Sequence, residues 1–363
     1  MSKMNYGVIL AGGRGERFWP LSTRKNPKQL LKLTSDKIML EETIGRLEPL
    51  IPMDRIVVVS GVDIEDQILE NTEKITKENL LLEPEGKNTC LALALAAVHI
   101  QKKDPDAVMI VLSSDHMIKP QEQLTRILKS AAGLASREDK LITIGIVPCR
   151  PETGYGYIEM GPKITEISGI KFYDVTRFKE KPERPNAQEY YLDRKHLWNS
   201  GMFVWNVKTF LKAVEKYMPS MYDCLLTYRE TMTSDDNGES IKSLYRDCDN
   251  ISVDFAILEK ADNVLCLKGD MKWDDVGSWL ALQRIYEPNA EKNVILGDVI
   301  LDSSYENTIV NKTEGDIIVG FGIADLVVVK ADKVIMVAHK TRVNDIKKLL
   351  SKLEKDDKYS KYL

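Results

Sequence analysis

The chain has few cysteines and histidines, no excess of either charge sign and no long apolar run. Its five cysteines form no C-x-x-C pair and its four histidines lack metal-ligand spacing, which excludes a disulfide framework and a zinc site. The 51 Lys and Arg residues nearly balance the 55 Asp and Glu residues, so we expect no nucleic-acid partner. The apolar run at 91–100 is too short to cross a bilayer, so we expect no membrane association.

The N-terminus predicts a cytoplasmic protein. One short apolar run at 6–10 is followed directly by the charged letters GRGER. A secretory signal has a longer apolar segment and a cleavage site of small residues. Together with the unpaired cysteines, this pattern predicts a reducing compartment.

Strands and helices alternate in the first part of the chain. Continuous apolar runs are typical of strands buried on both faces of a parallel sheet, and helical patterns separate them. In chain order these segments are 6–10, 39–47, 55–60, 89–101, 107–112, 121–135 and 141–147. We therefore predict a doubly wound α/β fold with a mixed, mostly parallel sheet.

The middle of the chain has a mixed pattern without a linker. The pattern predicts strands at 155–160 and 171–178, helices at 207–217 and 252–260, and a polar loop at 231–240. Because no linker interrupts this part, we assign it to the same domain, which gives a first domain of 1–288.

Beyond residue 288 the chain becomes rich in short β-branched segments. They recur roughly nine residues apart and are centred near Ile300, Ile309, Ile318, Val327 and Ile335. This repeat predicts a small β-solenoid-like domain at 289–363, with a helix at 343–353. Strand edges are commonly paired or covered, so we expect this domain to form a homodimer.

A glycine-rich turn with two arginines follows the first strand. Its backbone N–H groups can cradle phosphate oxygens, and arginines add charge-assisted contacts. The turn is not the dinucleotide fingerprint, because Phe18 stands where a third glycine is needed, and it is not a Walker A loop. From the residues alone, it could equally be a structural tight turn.

Two acidic residues, Asp115 and Asp275, could hold a metal ion near phosphates. Asp115 follows the buried run at 107–112, and the carboxyl ends of strands are where open α/β sheets bind ligands. Magnesium accepts one or two carboxylates together with substrate phosphates. Asp115 could instead cap the next helix, and Asp274 or Asp275 could cap a helix that begins near Ser278.

Motifs spread over 6–280 carry a resemblance to a known family. In chain order they are GGRGERFWPLS, NPKQLL, EPEGKNT, SSDHMI, GYGYIE, FKEKP, WNSGMFVW, SVDFAILEK and WDDVGSW. The chain resembles the sugar-nucleotide pyrophosphorylases, and among them the short, single-activity group that makes GDP-mannose. The resemblance implies the nucleotide-diphospho-sugar transferase type of α/β fold.

The resemblance implies an enzyme that acts on small molecules. GTP and mannose 1-phosphate would give GDP-mannose and pyrophosphate by in-line attack on the α-phosphate, with Mg²⁺ as cofactor. The alternatives are a guanylyltransferase for another manno-configured sugar 1-phosphate and a non-catalytic sugar-nucleotide sensor. The sensor has no need of the set Arg17, Lys28, Asp115, Lys181 and Asp275.

The resemblance also implies roles for individual residues. The catalytic residues would be Arg17, Lys28 and Lys181, and the metal ligands would be Asp115 and Asp275. The nucleotide would contact Ala11, Gly12, Gly13, Arg14, Gly15, Glu83, Asn88, Thr89 and Asp115. The sugar would contact Gly154, Glu180, Lys181 and Asn199.

Two residues of the EPEGKNT motif bear on recognition of the nucleotide. Guanine presents N–H donors that the Glu83 carboxylate could accept, which makes EPEGKNT a candidate base contact. Lys87 stands in this motif where the family usually has arginine, and lysine lacks the planar bidentate contact of a guanidinium. The contact at that position stays open.

Overall fold

A computed structural model describes residues 4–232 and 238–363. The chain divides into two compact units. Unit 1 comprises Met1–Gly12, Glu42–Ser114 and Ile118–Trp273, and unit 2 comprises Gly13–Glu41, Asp115–Met117 and Asp274–Leu363. The predicted domain boundary after residue 288 stays a prediction. Residues 233–237 of the predicted polar loop lie outside the described residues.

The strands have the following bounds. They are β1 (Asn5–Leu10), β2 (Ile56–Gly61), β3 (Leu80–Glu83), β4 (Val108–Ser113), β5 (Met117–Lys119), β6 (Leu141–Ile146), β7 (Tyr157–Ile167), β8 (Ile170–Lys179), β9 (His196–Asn206), β10 (Val264–Gly269), β11 (Lys272–Asp274), β12 (Val294–Leu296), β13 (Val299–Asp302), β14 (Thr308–Asn311), β15 (Ile318–Phe321), β16 (Leu326–Ala331) and β17 (Val334–His339).

The α-helices follow the same order along the chain. They are α1 (Met39–Leu47), α2 (Glu65–Asn71), α3 (Asn88–Lys103), α4 (Gln121–Ala135), α5 (Arg184–Asp193), α6 (Val207–Tyr217), α7 (Pro219–Thr231), α8 (Glu239–Asp247), α9 (Leu282–Ile285) and α10 (Ile346–Leu353). Among the helices of the described ranges, none has the length and apolarity that a bilayer crossing requires.

Unit 1 is built on a nine-stranded sheet in the order β3-β2-β1-β4-β9-β6-β10-β8-β7. Of these strands, β8 and β9 run against the others. The prediction of a doubly wound, mixed and mostly parallel sheet is confirmed, and the four predicted buried strands correspond to β1, β2, β4 and β6. The long strand β9 was not predicted, although it pairs with both β4 and β6.

Buried helices complete the core of unit 1. Helix α3 is apolar around most of its circumference, and Leu91, Ala94 and Leu95 are fully buried. The helix predicted at 252–260 is a single π-helical turn, Asp254–Leu258. A π-helical turn adds one residue to the helical repeat and changes the direction in which a side chain points.

The C-terminal part of unit 2 contains the predicted small β module. Strands β12, β14 and β16 pair in parallel, as do β13 and β15, whereas β17 pairs antiparallel with β16. Buried amides connect successive turns of the module: the Asn307 side-chain N–H₂ donates to Asn293 Oδ1 at 2.9 Å and to the Ile323 carbonyl at 3.0 Å. These bonds satisfy polar groups that burial would otherwise leave without partners.

Candidate active site

Unit 2 gathers Gly15 of the glycine-rich loop and four predicted charged residues around one cavity. The cavity has a volume of about 340 Å³. Its lining consists of Gly15, Glu16, Arg17, Phe18, Lys28, Asp115, His116, Asp275, Gly277 and Lys347. Arg17, Lys28, Asp115 and Asp275 are therefore brought together, as the sequence predicts. Arg14 is exposed and lines a different cavity.

Lys28 lies at the centre of this group and is only 5% exposed. Its ammonium donates to Asp115 Oδ2 and to the Asp275 carbonyl, each at 2.7 Å. Gly15 makes the close packing here possible, because its φ is +64° and a Cβ atom on it would lie 2.2 Å from Lys28 Cβ. The glycine at this position is thus required by both conformation and space.

The carboxyl group of Asp115 is held in its ionised form. Burial by itself would raise the pKa of Asp115, but the Lys28 ammonium and His116 outweigh burial and keep this pKa below its ordinary value. His116 Nε2 lies 3.7 Å from Asp115 Oδ1. Magnesium takes one or two carboxylates together with substrate phosphates, and the ionised carboxylate of Asp115 faces the cavity as one such ligand.

Asp274 and Asp275 have different surroundings. Asp274 is buried, and its carboxylate accepts two bonds from the Arg284 guanidinium, one of them at 2.8 Å, and one from the Val276 N–H at 2.9 Å. Ser278 occupies the N-cap position of the following short helix, so neither aspartate is its cap. Asp275 lines the cavity, and a Cβ on Gly277 would lie 2.8 Å from Asp275 Oδ2.

The two cavity carboxylates fit a magnesium ion that takes its other ligands from phosphates. Asp115 and Asp275 line the same space and supply the oxygen ligands that Mg²⁺ prefers. Within residues 4–232 and 238–363, no group of three or more His, Cys, Asp or Glu side chains could hold a metal ion. A metal bound here would depend on its substrate for the remaining coordination.

Unit 1 holds the predicted sugar residues in a separate group. Asn199 Nδ2 donates to Asp254 Oδ1 at 2.7 Å, and Lys181 Nζ lies 2.7 Å from Glu180 Oε1. A Cβ on Gly156 would lie 2.3 Å from Glu180 Oε2 and 3.4 Å from Asn199 Cβ. We call Gly156, Glu180, Asn199 and Asp254 the Asn199 cluster.

Two predicted sugar residues lie at or beyond the edge of the Asn199 cluster. Gly154 is exposed, and its N–H donates to Glu152 Oε1 at 3.1 Å, so the neighbouring Gly156 makes the close approach instead. Lys181 follows β8 after a gap of one residue, has a φ of +43° and keeps 64% of its side chain exposed. An exposed ammonium next to a carboxylate is available to a phosphate group.

The predicted base contact, Glu83, is buried in unit 1. Its Oε1 accepts the Tyr245 hydroxyl at 2.8 Å, and its Oε2 lies 3.3 Å from the position of a Cβ on Gly12. Burial raises the pKa of Glu83, and the Tyr245 hydrogen bond only partly opposes this rise. A buried acid that borders a glycine loop can accept a donor from a flat base.

Other predicted nucleotide residues make structural bonds or have open space around them. The Ala11 N–H donates to the Val59 carbonyl at 2.8 Å. Thr89 Oγ1 accepts the Val253 N–H at 3.0 Å, and Asn88 begins α3 with a φ of +66°. Gly13 has nothing within 4 Å of an added Cβ, so space does not demand glycine there.

Lys87, where the family usually has arginine, contacts the end of a helix. Its ammonium donates to the Cys248 carbonyl at 2.9 Å, next to the last turn of α8. Positive charge is favourable at a helix C-terminus, where carbonyl groups lack partners inside the helix. Lys87 therefore stabilises α8 in the described structure.

Comparison with known proteins decides the family. The sequence model of the nucleotidyl transferase family matches residues 6–292. This chain belongs to the nucleotidyl transferase family. The transferase is 36% identical over 357 residues to a mannose-1-phosphate guanylyltransferase of Klebsiella pneumoniae, which covers 97% of this chain and 74% of the relative. The enzyme of the same name from Escherichia coli (strain K12) is 35% identical over 359 residues, covering 98% and 74%.

A solved structure supports the fold of the transferase over most of its length. The crystal structure of mannose-1-phosphate geranyltransferase from Thermus thermophilus is similar with a TM-score of 0.87 and 30% identity. The similarity covers 96% of this chain and 99% of that one. The predicted resemblance to the sugar-nucleotide pyrophosphorylases, and the prediction of an enzyme, are confirmed by the family match and the curated relatives.

The structure adds residues to the candidate site that the sequence did not single out. They are Gly156, Tyr245, Asp254, Gly277 and Lys347. Gly156, Asp254 and Gly277 lie inside the motifs GYGYIE, SVDFAILEK and WDDVGSW. The motifs therefore marked these positions as part of the family pattern but did not indicate what each residue does. Tyr245 and Lys347 lie outside every motif, and no local pattern marks them.

Proposed function

We propose that this transferase converts mannose 1-phosphate and GTP to GDP-mannose and pyrophosphate. Its similarity to curated mannose-1-phosphate guanylyltransferases over nearly the whole chain supports the choice of substrates. The observation that carries the chemistry is the cavity in which Lys28, Asp115 and Asp275 come together. Fixed positive charge beside acidic metal ligands suits a reaction on phosphate groups.

The reaction is a direct displacement. An oxygen of the sugar phosphate attacks the α-phosphorus of GTP, a new P–O bond forms, and the bond to the β-phosphate oxygen breaks as pyrophosphate leaves. No covalent intermediate is required. The protein therefore has to position the phosphates and neutralise the charge that builds up on them.

Residues of unit 2 would act on the triphosphate. An ammonium has three N–H donors, and Lys28 uses two of them on Asp115 and on the Asp275 carbonyl, so one remains for a phosphate oxygen. The Arg17 guanidinium contacts the Gly277 carbonyl at 3.5 Å and lines the same cavity. Its other N–H donors can hold the leaving pyrophosphate.

Asp115 and Asp275 would hold Mg²⁺, which supplies neutralisation of phosphate charge when bound. Residues of unit 1 would act on the other parts of the substrates. Lys181 would pair with the sugar phosphate, and Glu83, oriented by Tyr245, would accept guanine N–H groups. The cytoplasmic location stays a prediction.

A pyrophosphate-release assay with purified protein tests this function. We expect the highest kcat/KM with GTP and mannose 1-phosphate among four nucleoside triphosphates and a panel of sugar 1-phosphates. Preference for another manno-configured sugar phosphate would favour the related guanylyltransferase activity. Binding of GDP-mannose without pyrophosphate release from any pair would favour the sensor.

The Lys181→Ala variant tests the sugar-phosphate contact. Loss of a charge-assisted bond should raise the KM for mannose 1-phosphate about tenfold to a hundredfold and leave the KM for GTP unchanged. Lys179→Ala is the matched control, since it removes an exposed lysine two positions earlier. Equal loss of both affinities, or no loss, contradicts the assignment.

Asn substitutions of the acidic residues test the metal site. Asp115→Asn and Asp275→Asn should weaken magnesium binding and lower turnover by about 10²–10³ while the melting temperature barely moves. Asp274→Asn should instead lower the melting temperature and leave turnover nearly unchanged. Losing charged bonds to Arg284 removes about 2 kcal/mol of stability. Near-normal turnover of Asp275→Asn at saturating magnesium would contradict the assignment.

A homodimer through the C-terminal module is the expected assembly. On the outer face of β13 and β15, Ile300, Val319 and Phe321 expose 57%, 67% and 75% of their surface, which is typical of an interaction site. Light scattering at micromolar concentration should detect a dimer that Phe321→Glu dissociates. Leu192→Glu, a similarly exposed position on α5, should leave the dimer intact. A monomeric parent protein contradicts this expectation.

A further inference from the structure

Asp254 has a fixed position in unit 1 and no role in the function proposed so far. It begins the π-helical turn Asp254–Leu258, a local distortion that frequently occurs at functional sites. The segment before it is anchored to the start of α3. The Val253 N–H donates to Thr89 Oγ1 at 3.0 Å, and the Cys90 N–H donates to the Ile251 carbonyl at 3.3 Å.

The carboxylate of Asp254 is joined to a predicted sugar residue. Its Oδ1 accepts Asn199 Nδ2 at 2.7 Å. On the other side of the amide, Asn199 Oδ1 accepts the Gly201 N–H at 3.3 Å and the Thr143 hydroxyl at 3.5 Å, which fixes the orientation of the amide. Two carboxylate oxygens offer about four acceptor sites, so Asp254 keeps acceptor capacity beyond this bond.

A second carboxylate lies in the same cluster. Glu180 Oε2 and Asn199 Cβ both lie within 3.4 Å of one point, the position of a Cβ on Gly156. The ammonium that pairs with Glu180 belongs to Lys181 and is mostly exposed. The Asn199 cluster thus places two acidic groups beside one amide, and the Lys181 ammonium that pairs with Glu180 is exposed.

This arrangement disfavours ionisation of Asp254. Burial and the neighbouring Glu180 carboxylate raise the pKa of Asp254 to about 6, although the Asn199 bond and Lys181 act in the opposite direction. The Cys90 thiol of α3 also interacts with the Asp254 charge. Because the folded chain keeps this proton to a higher pH than the unfolded chain, stability falls as the pH rises from about 4 to about 6.

We propose that Asp254 is a specificity residue for the sugar. Its carboxylate and that of Glu180 accept hydrogen bonds from two adjacent hydroxyl groups of the hexose ring. This inference rests on the proposed function and extends it to the recognition of a vicinal diol. Neutral hydroxyl donors relieve the repulsion between two acids without adding charge, and bonds to ionised acceptors are the stronger kind. A site built in this way rejects analogues that lack a hydroxyl.

The Asp254→Asn variant tests the proposal. Asparagine keeps the size and one acceptor for Asn199, and it removes the charge. We expect the KM for mannose 1-phosphate to rise about tenfold to a hundredfold, with the KM for GTP unchanged. The melting temperature at pH 7.5 should stay the same or rise, because a disfavoured charge is removed. An unchanged sugar-phosphate KM overturns the proposal, as does loss of both affinities with a lower melting temperature.

Glu259→Gln is the matched control. Glu259 is exposed, directly follows the π-helical turn and also interacts with the Glu180 charge. Its replacement removes the same charge without removing an acceptor from the Asn199 cluster, so both KM values should stay unchanged. An equal rise in the sugar-phosphate KM would make the effect one of long-range charge and overturn the proposal.

Deoxy analogues of mannose 1-phosphate identify the hydroxyl. In the parent enzyme, removing the hydroxyl that Asp254 accepts should cost about tenfold or more in kcat/KM. In Asp254→Asn the same removal should cost little, because the two changes delete one interaction. Strictly additive losses for every analogue overturn the proposal. If the variant does not fold, equal use of all analogues by the parent enzyme overturns it.

The outcomes also separate this inference from the proposed function. No pyrophosphate release by the parent protein with any sugar 1-phosphate would defeat the function itself. An active parent protein whose Asp254→Asn variant keeps its sugar-phosphate KM would defeat only the role of Asp254.

Discussion

Lys28 connects the two segments that carry the predicted metal ligands. A buried ammonium is costly without partners, and here it has two, the Asp115 carboxylate and the Asp275 carbonyl, each at 2.7 Å. The bonds fix one side chain and one stretch of backbone relative to each other. Gly15 then allows the glycine-rich loop to pack on the same lysine. The geometry of the cavity thus depends on a desolvated charge and its partners.

The two candidate substrate regions differ in their charge balance. In unit 2, the cavity presents Lys28, Arg17 and Lys347 beside its acids, as phosphate groups require. In unit 1, the two carboxylates of Glu180 and Asp254 have one neighbouring ammonium, that of Lys181. Burial and the Glu180 charge raise the pKa of Asp254. Such a group lowers stability, and proteins retain unfavourable groups mainly where function needs them. Excess acceptors match neutral hydroxyl donors, just as excess donors match phosphate oxygens.

The sequence predicts elements that have a continuous local pattern. It does not predict features that depend on partners far away in the chain. Strands β1, β2, β4 and β6 were predicted because their apolar runs are unbroken. Strand β9 was missed because Asn199, Ser200 and Gly201 interrupt its pattern, and Gly201 has a φ of +67°. The sequence could not separate Asp274 from Asp275, because the difference arises from Arg284, ten residues away. The bond between Asn199 and Asp254 joins residues 55 positions apart.

The core of unit 2 shows why the C-terminal module matters to the cavity. Phe18, next to the glycine-rich loop, packs edge-on against Trp279 with ring centroids 5.0 Å apart, and Trp279 Nε1 donates to the Trp19 carbonyl. The same buried cluster includes Val294 and Val327 of the β module. Residues on both sides of position 288 therefore share one apolar core. The glycine-rich loop is supported by strands that contain no predicted catalytic residue. A change in the packing of those strands would displace Trp279 and, through it, the glycine-rich loop, because a close-packed core transmits strain.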